Sequence, residues 1–188
     1  MRLKAPRIDP VDLDQLTPDQ DEALGPFLKT GRVLNIFRTL ARAPKGLKRF
    51  NLWGGYVLSD KNDLPVRERE IVILRTGYLC GSGYEWTQHV AIGQRAGLSD
   101  DEIEAIKTGA DAPNWSTEDA ALLRATDDLV KDHFVSPANW DALDFLTEKQ
   151  RMDLVFTCGQ YTQVSMMLNS FGVQLDEGQT LDPDLDRS

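Results

Sequence analysis

The chain has 188 residues, of which 41% are hydrophobic and 27% are charged, and its formal net charge is −9. These values fit one globular domain, and the negative charge argues against binding to nucleic acids or anionic membranes, which needs clustered Lys and Arg. No apolar run approaches the roughly 20 residues of a membrane span, and the first residues lack a signal-peptide core. The two cysteines, Cys80 and Cys158, form no C-x-x-C pair and indicate reduced thiols. We therefore expect a cytoplasmic protein.

Helix-start signals recur along the chain at intervals of about ten to twenty residues, which is the usual length of a helix. Capping boxes begin at Ser99 and Thr147, and Thr17 precedes a proline and a glutamine in the same pattern. The strand-like run 71–74 continues the charged stretch 67–70 without a break, so we interpret both as one buried helix. The predicted helices lie near 17–29, 32–42, 47–58, 65–80, 83–96, 99–108, 116–131 and 137–171, the last broken near Thr147. The pattern predicts an all-α bundle of about eight helices.

The predicted organisation has three parts. Residues 1–16 are rich in proline and form an N-terminal arm, and residues 17–175 form a single helical domain. Residues 176–188 form an acidic tail, which we expect to be flexible because it has so few apolar side chains.

Three ionisable residues stand out because they occupy apolar helix faces. Glu85 and His89 lie four residues apart, on the same narrow face as Ile92 and Gly93. Glu70 shares a face with apolar residues of the preceding helix, and the short turn 81–83 predicts that the two helices pack antiparallel. The three side chains would then meet in one pocket, where burial and pairing shift pKa values towards neutrality. Such an arrangement suits proton transfer.

A structural interpretation stands beside this one. A Glu–His pair four residues apart is often a half-exposed surface contact, and Glu70 could simply stabilise the start of its helix. From chemistry alone the two interpretations are about equally supported. Scarce histidine and the absence of a cysteine cluster argue against a metal site, and nothing indicates a cofactor.

The stretch from Arg67 to Leu98 resembles the carboxymuconolactone decarboxylase family, in which an R-x-R-E helix leads into a helix with a histidine followed by A-G-L. Residues 34–44, 115–116 and 169–176 resemble a long-chain subgroup of that family. The resemblance implies an all-α AhpD-like bundle that forms homo-oligomers, whether dimers, trimers or hexamers, and acts on a small-molecule substrate.

The family also has a redox branch, the alkylhydroperoxidase D-like proteins, with the signature C-x-x-C-x-x-x-H and an upstream glutamate. Aligned on His89, this chain has Ser82 and Glu85 where the two cysteines of that signature stand, while Glu70 corresponds to the glutamate. Thiol peroxidase chemistry needs an ionised cysteine and a resolving partner, so peroxidase activity by that mechanism is not expected.

The non-redox branch implies a cofactor-independent, decarboxylase-like lyase for a carboxylated or aromatic-derived metabolite. His89 would act as general acid and base, Glu70 would fix its tautomer, and Glu85 would carry a second proton or stabilise positive charge.

Four further residues are candidates for substrate binding: Tyr84, Cys80, Arg75 and Tyr161. Three of them have a structural alternative, since Tyr84 could pack at a helix start, Cys80 could be a small core residue, and Tyr161 could serve an interface. Arg75 is the nearest candidate partner for a substrate carboxylate, and Arg67 is a second.

Two other functions stay open at this point. One is a peroxide-reducing protein that uses Cys80 alone, which would need an accessible thiol of low pKa. The other is an oligomeric binding protein without catalysis.

Overall fold

The computed structural model describes residues 1–113 and 115–187. Within these ranges the regular structure is entirely helical, as predicted, with nine α-helices and two short 3-10 helices. The α-helices are α1 (Pro18–Leu28), α2 (Asn35–Leu40), α3 (Pro44–Val57), α4 (Val66–Leu79), α5 (Gly83–Arg95), α6 (Asp100–Thr108), α7 (Thr117–Asp132), α8 (Pro137–Asp141) and α9 (Glu148–Phe171). None of these helices combines the length and the apolar character needed to cross a membrane.

The helix starts follow the capping signals in the sequence. Thr17, Ser99 and Thr147 each accept a backbone N–H with the side chain, while a Gln or Glu three residues later returns the contact. These reciprocal bonds satisfy amides that the first turn of a helix leaves without partners. The predicted break near Thr147 is confirmed as the gap between α8 and α9. The predicted helix 32–42 is shorter in the structure, where α2 spans only Asn35–Leu40.

Helix α4 lies at the centre of the fold and packs against α5, α7 and α9. Its residues 69–77 are all buried, which explains why the run 71–74 is apolar on every side. One part of the core, including Leu74, Leu122 and Leu154, fills the space between α4, α7 and α9. A second part, including Ile73, Tyr84 and Tyr161, lies where α2 and α3 cover α5 and α9. The candidate site opens on this second side.

The tail, predicted to be flexible, is packed onto the helices in its described part, 176–187. Leu185 is fully buried, and Leu181 packs against the same core. Lys107 forms ion pairs with Asp182 and Asp184. The prediction is based on the low apolar content of the tail. In the structure Leu181 and Leu185 pack against the core, and Asp182 and Asp184 pair with Lys107.

The N-terminal arm also lies against the body. Backbone N–H groups of Arg7 and Ile8 donate to the carbonyl of Phe171 at the end of α9. Val11 is buried beside α1 and α3, and its N–H donates to the carbonyl of Arg38. The arm thus joins the second half of the fold to α2.

Candidate active site

The close approach of α4 and α5 depends on Gly77. A Cβ at this position would lie 3.2 Å from Cγ of Glu85, which is closer than nearly all real contacts of that kind. The turn between the helices supports the same packing, because Ser82 donates its N–H to the carbonyl of Gly77. With no side chain on α4 at this level, the carboxyl group of Glu85 can sit between the two helices.

Glu70, His89 and Glu85 form one row of close polar contacts, as the helix faces predict, with a hydrogen bond between Glu70 and His89. Nδ1 of His89 lies 2.7 Å from Oε2 of Glu70, and Nε2 lies 3.1 Å from Oε1 of Glu85. The imidazole is 6% exposed and Glu70 is 1% exposed. Each ring nitrogen therefore faces a carboxylate away from bulk water, and the contact to Glu70 holds the ring in place.

Burial and neighbouring charges shift the pKa values of Glu85 and His89. Burial raises the pKa of Glu85 to about 7, a rise that Glu70 supports and His89 opposes. Burial by itself would lower the pKa of His89, but the negative charges of Glu85 and Glu70 outweigh it and raise that pKa. Both groups therefore gain affinity for protons, and Glu85 titrates near neutral pH.

The row opens on a cavity of about 510 Å³, within the usual range for small-molecule sites. Its walls come from α1, α2, α3, α5 and α9 and are mostly aliphatic and aromatic. The apolar and glycine residues of the lining are Pro26, Phe27, Leu34, Ile36, Phe37, Phe50, Gly54, Gly55, Leu58, Ile92 and Val164. Its polar lining residues are Asn51, Tyr84, Glu85, Gln88, His89, Gln160 and Tyr161. Two ionisable groups, Glu85 and His89, thus face a mostly apolar chamber.

Two of the predicted substrate-binding residues line this cavity. Tyr161 places its ring edge-on to His89, with centroids 4.9 Å apart, and its hydroxyl bonds to no group in the described ranges. Tyr84 instead donates its hydroxyl to Asp176 at 2.6 Å and accepts the N–H of Ile36. The Tyr161 hydroxyl is therefore available to a ligand, whereas the Tyr84 hydroxyl is engaged by the protein.

The other two predicted substrate-binding residues lie outside the cavity. Arg75 makes a bidentate contact with Asp127 and donates to two carbonyls at the end of α6, so the structure gives it a packing role in place of the predicted substrate contact. Arg67, the second candidate, binds Asp119 and Glu102. Both guanidinium groups point to acidic partners on neighbouring helices, which helix periodicity alone does not reveal.

Cys80 ends α4 and is half-buried, outside the cavity lining. Burial raises its thiol pKa, and burial raises the pKa of Cys158 to about 11. Neither cysteine therefore has the low pKa that a peroxide-reducing thiolate requires.

The residues predicted from the sequence to bind substrate include neither Gln88 nor Gln160, although both line the cavity. Gln88 donates to Asp176 and to Gln179 at the edge of the cavity. Its position four residues after Tyr84 was a usable signal, since residues at this spacing share a helix face. Gln160 gave a weaker signal, a polar residue next to Tyr161 in an apolar helix.

Comparison with known proteins agrees with this geometry. The model of the "Carboxymuconolactone decarboxylase family" matches residues 44–128, the segment that holds Glu70, Glu85 and His89. The matched segment makes up less than half of the chain, so the similarity to this family is shown for residues 44–128. No curated protein is similar enough in sequence to count as a relative.

Solved structures of AhpD-like proteins share the fold over nearly the whole chain. An uncharacterized peroxidase-related protein from Ralstonia eutropha, described as an alkylhydroperoxidase AhpD core, is 22% identical with a TM-score of 0.77, covering 92% of this chain and 93% of that one. An uncharacterized peroxidase-related protein from a Silicibacter species is 15% identical with a TM-score of 0.77, covering 93% and 95%. At these identities the likeness shows the AhpD-like fold alone.

A third structure of this fold is an enzyme bound to a small ring compound. The debrominase Bmp8, in complex with 2,3,4-tribromopyrrole, is 12% identical with a TM-score of 0.75, and the match covers 93% of this chain and 94% of that one. Bmp8 is thus an enzyme that shares this fold and binds a small ring compound.

Proposed function

We propose that this protein is a cofactor-independent, decarboxylase-like lyase that uses acid–base chemistry on a small carboxylated or aromatic-derived metabolite. The observation that carries the proposal is the buried row Glu70–His89–Glu85, whose last two members face an apolar cavity. Glu85, with a pKa of about 7, can both hold and release a proton at physiological pH.

The proposed reaction converts a carboxylate and one proton into CO₂ and a C–H bond. The carbon–carbon bond to the carboxylate breaks, and its electron pair stays on the substrate carbon, delocalised over a conjugated ring or carbonyl. Protonated Glu85 donates its proton to that carbon, and the imidazolium of His89, 3.1 Å away, reprotonates Glu85. His89 then takes a proton from solvent, so one proton is consumed in each turnover.

Glu70 acts as a positioning residue in this scheme. It accepts the Nδ1–H of His89 at 2.7 Å, which directs Nε2 towards Glu85 and stabilises the imidazolium. Tyr161 adds a neutral hydroxyl next to the imidazole, since burial raises its pKa well above the ordinary value for tyrosine. Such a hydroxyl can donate to an oxygen that gains negative charge in the transition state.

The cavity also suits a compact ring substrate. Most of its walls are apolar, and the Bmp8 complex with tribromopyrrole shows that a protein of this fold accommodates a small aromatic ring. Peroxide reduction through Cys80 is less favoured, because that thiol lies outside the cavity and burial raises its pKa.

The test measures CO₂ release from carboxymuconolactone and from a panel of aromatic monocarboxylates in D₂O, with mass spectrometry of the product. We expect deuterium at the carbon that loses CO₂, and we expect His89→Ala and Glu85→Gln to lower kcat by about 10²–10⁴-fold. The exposed His133 provides the matched control His133→Ala, with unchanged turnover. Equal rates in wild type and His89→Ala, or no CO₂ from any compound, would reject the proposal.

A further inference from the structure

One buried amide in the cavity wall has no hydrogen-bond partner among residues 1–113 and 115–187. Gln160 is 4% exposed, and its Oε1 is buried without a hydrogen bond. Its Nε2 also bonds to no group in residues 1–113 and 115–187. Buried amides are nearly always paired, because loss of hydration without a replacement bond costs free energy. An orphaned side chain of this kind needs an explanation.

The position of the amide supplies one. Gln160 follows Cys158 on α9 and precedes Tyr161, and it lines the same cavity as His89 and Glu85. Its Nε2 lies 3.5 Å from the place that a Cβ on residue 54 would occupy, but residue 54 is glycine. Gly54 also lines the cavity, so the side-chain space next to the amide is left free.

The remaining walls restrict the kind of ligand that could reach this amide. None of the described lining residues is Lys or Arg, so among them only His89 can carry a positive charge that a ligand carboxylate could pair with. Aromatic and aliphatic side chains favour an apolar ring, and Gln160 and Tyr161 are the two lining residues on α9 with unengaged N–H or O–H donors. A carbonyl oxygen is the acceptor that such donors would bind.

We infer that Gln160 is a substrate-binding residue whose amide N–H donates to a carbonyl oxygen of a compact, mainly apolar ring compound. The contact would lie on the α9 wall, while His89 and Glu85 act from the α5 wall. The inference rests on the proposed function only in taking this ligand as the substrate. It also implies that Gln160 is retained for binding at a cost in stability.

The test compares two probes of the same shape, acetophenone and α-methylstyrene, which carry C=O and C=CH₂ at the same place. Their Kd values are measured by ligand-observed NMR, and the ratio of the two is compared between proteins, which cancels their different hydrophobicity. We expect Gln160→Leu to shift this ratio against acetophenone by about fivefold, the loss of one hydrogen bond. We also expect its Tm to be equal to or above that of wild type.

Matched variants keep the inference falsifiable. Gln163→Leu makes the same change one turn along α9, at a residue that lines a neighbouring groove instead of the cavity, and should leave the ratio unchanged. Gly54→Ala adds a methyl group against the amide and should shift the ratio in the same direction as Gln160→Leu. An unchanged ratio in both Gln160→Leu and Gly54→Ala, or no binding of acetophenone to wild type, would overturn the inference.

These outcomes are separate from the proposed chemistry. The probe ratio measures binding without turnover, so it is read independently of CO₂ release. If His89→Ala loses CO₂ release while the Kd ratio of the two probes is the same in wild type and Gln160→Leu, only the role of Gln160 is rejected. If Gln160→Leu changes the Kd ratio of the two probes but wild type releases no CO₂ from any compound, only the proposed lyase reaction is rejected.

Discussion

Two clusters of buried charge start from α4 and differ in how their charge is balanced. Arg75 faces one carboxylate, Asp127, and two carbonyls, so its guanidinium is enclosed and neutralised. Glu70 shares one imidazole with Glu85, so the row holds two carboxyl groups for one base, and it opens on a cavity. A neutralised and enclosed charge stabilises the fold, whereas an unbalanced charge beside a cavity holds protons that can be transferred.

The largest expected effect comes from breaking the enclosed cluster. Arg75→Met would leave Asp127 and two carbonyls without their donor, so we expect a loss of about 3–5 kcal/mol in the free energy of unfolding. Urea denaturation measures this loss. Arg124→Met, on the exposed side of α7, serves as the control and should change stability by less than about 0.5 kcal/mol. A loss below about 1 kcal/mol for Arg75→Met would contradict the claim that the enclosed cluster around Arg75 stabilises the fold.

The second prediction concerns the pH dependence of the unbalanced row. Burial raises the folded-state pKa of Glu85 to about 7, and the folded-state pKa of His89 is also raised. The folded state therefore binds more protons than the unfolded state, so these groups make stability fall as pH rises from about 5 to 8. Their contribution to the free energy of unfolding is fully present below their unfolded-state pKa values. It is lost as pH rises through their folded-state pKa values.

Glu85→Gln isolates this contribution. We expect the decline in unfolding free energy between pH 5 and pH 8 to become smaller by up to about 3 kcal/mol, since each pKa unit corresponds to about 1.36 kcal/mol. Urea denaturation across that pH range measures the difference between variant and wild type. Parallel curves for the two proteins would mean that Glu85 has no raised pKa.

The smallest effects distinguish two tyrosines in the cavity wall. Tyr84→Phe would deprive Asp176 of one donor, and we expect a loss of about 1–2 kcal/mol in stability with turnover changed by no more than a few fold. Tyr161→Phe removes an unengaged hydroxyl, so stability should change by less than about 0.5 kcal/mol while kcat falls. Thermal melts and CO₂ release measure both. If Tyr84→Phe lowered kcat and Tyr161→Phe lowered stability, the roles given to the two tyrosines would be wrong.

The sequence predicts what depends on local spacing. Capping boxes at Ser99 and Thr147 give the starts of α6 and α9, and helical periodicity brings Glu85 and His89 onto one face. Glu70 reaches His89 because a turn of a few residues leaves antiparallel packing of α4 and α5 as the simple arrangement.

What the sequence does not predict depends on contacts between distant segments. Arg75 has a long side chain that can turn away from the face of its Cα, and its partner Asp127 lies on α7, 52 residues later. The cavity walls from α1–α3 follow from how that layer covers α5 and α9, which periodicity within one helix does not encode. The packing of Leu185 depends likewise on the surface that the rest of the fold presents.

The carboxylate of Asp176 has a consequence for the rate at which ligands exchange. It accepts the backbone N–H of Asn35 on α2 and the side-chain donors of Tyr84 and Gln88 on α5, so one anion joins two walls of the cavity. A wall fastened in this way must detach before the α2 side of the chamber can widen. Asp176→Ala would therefore raise both kon and koff of a bound compound by a similar factor, leaving its Kd nearly unchanged.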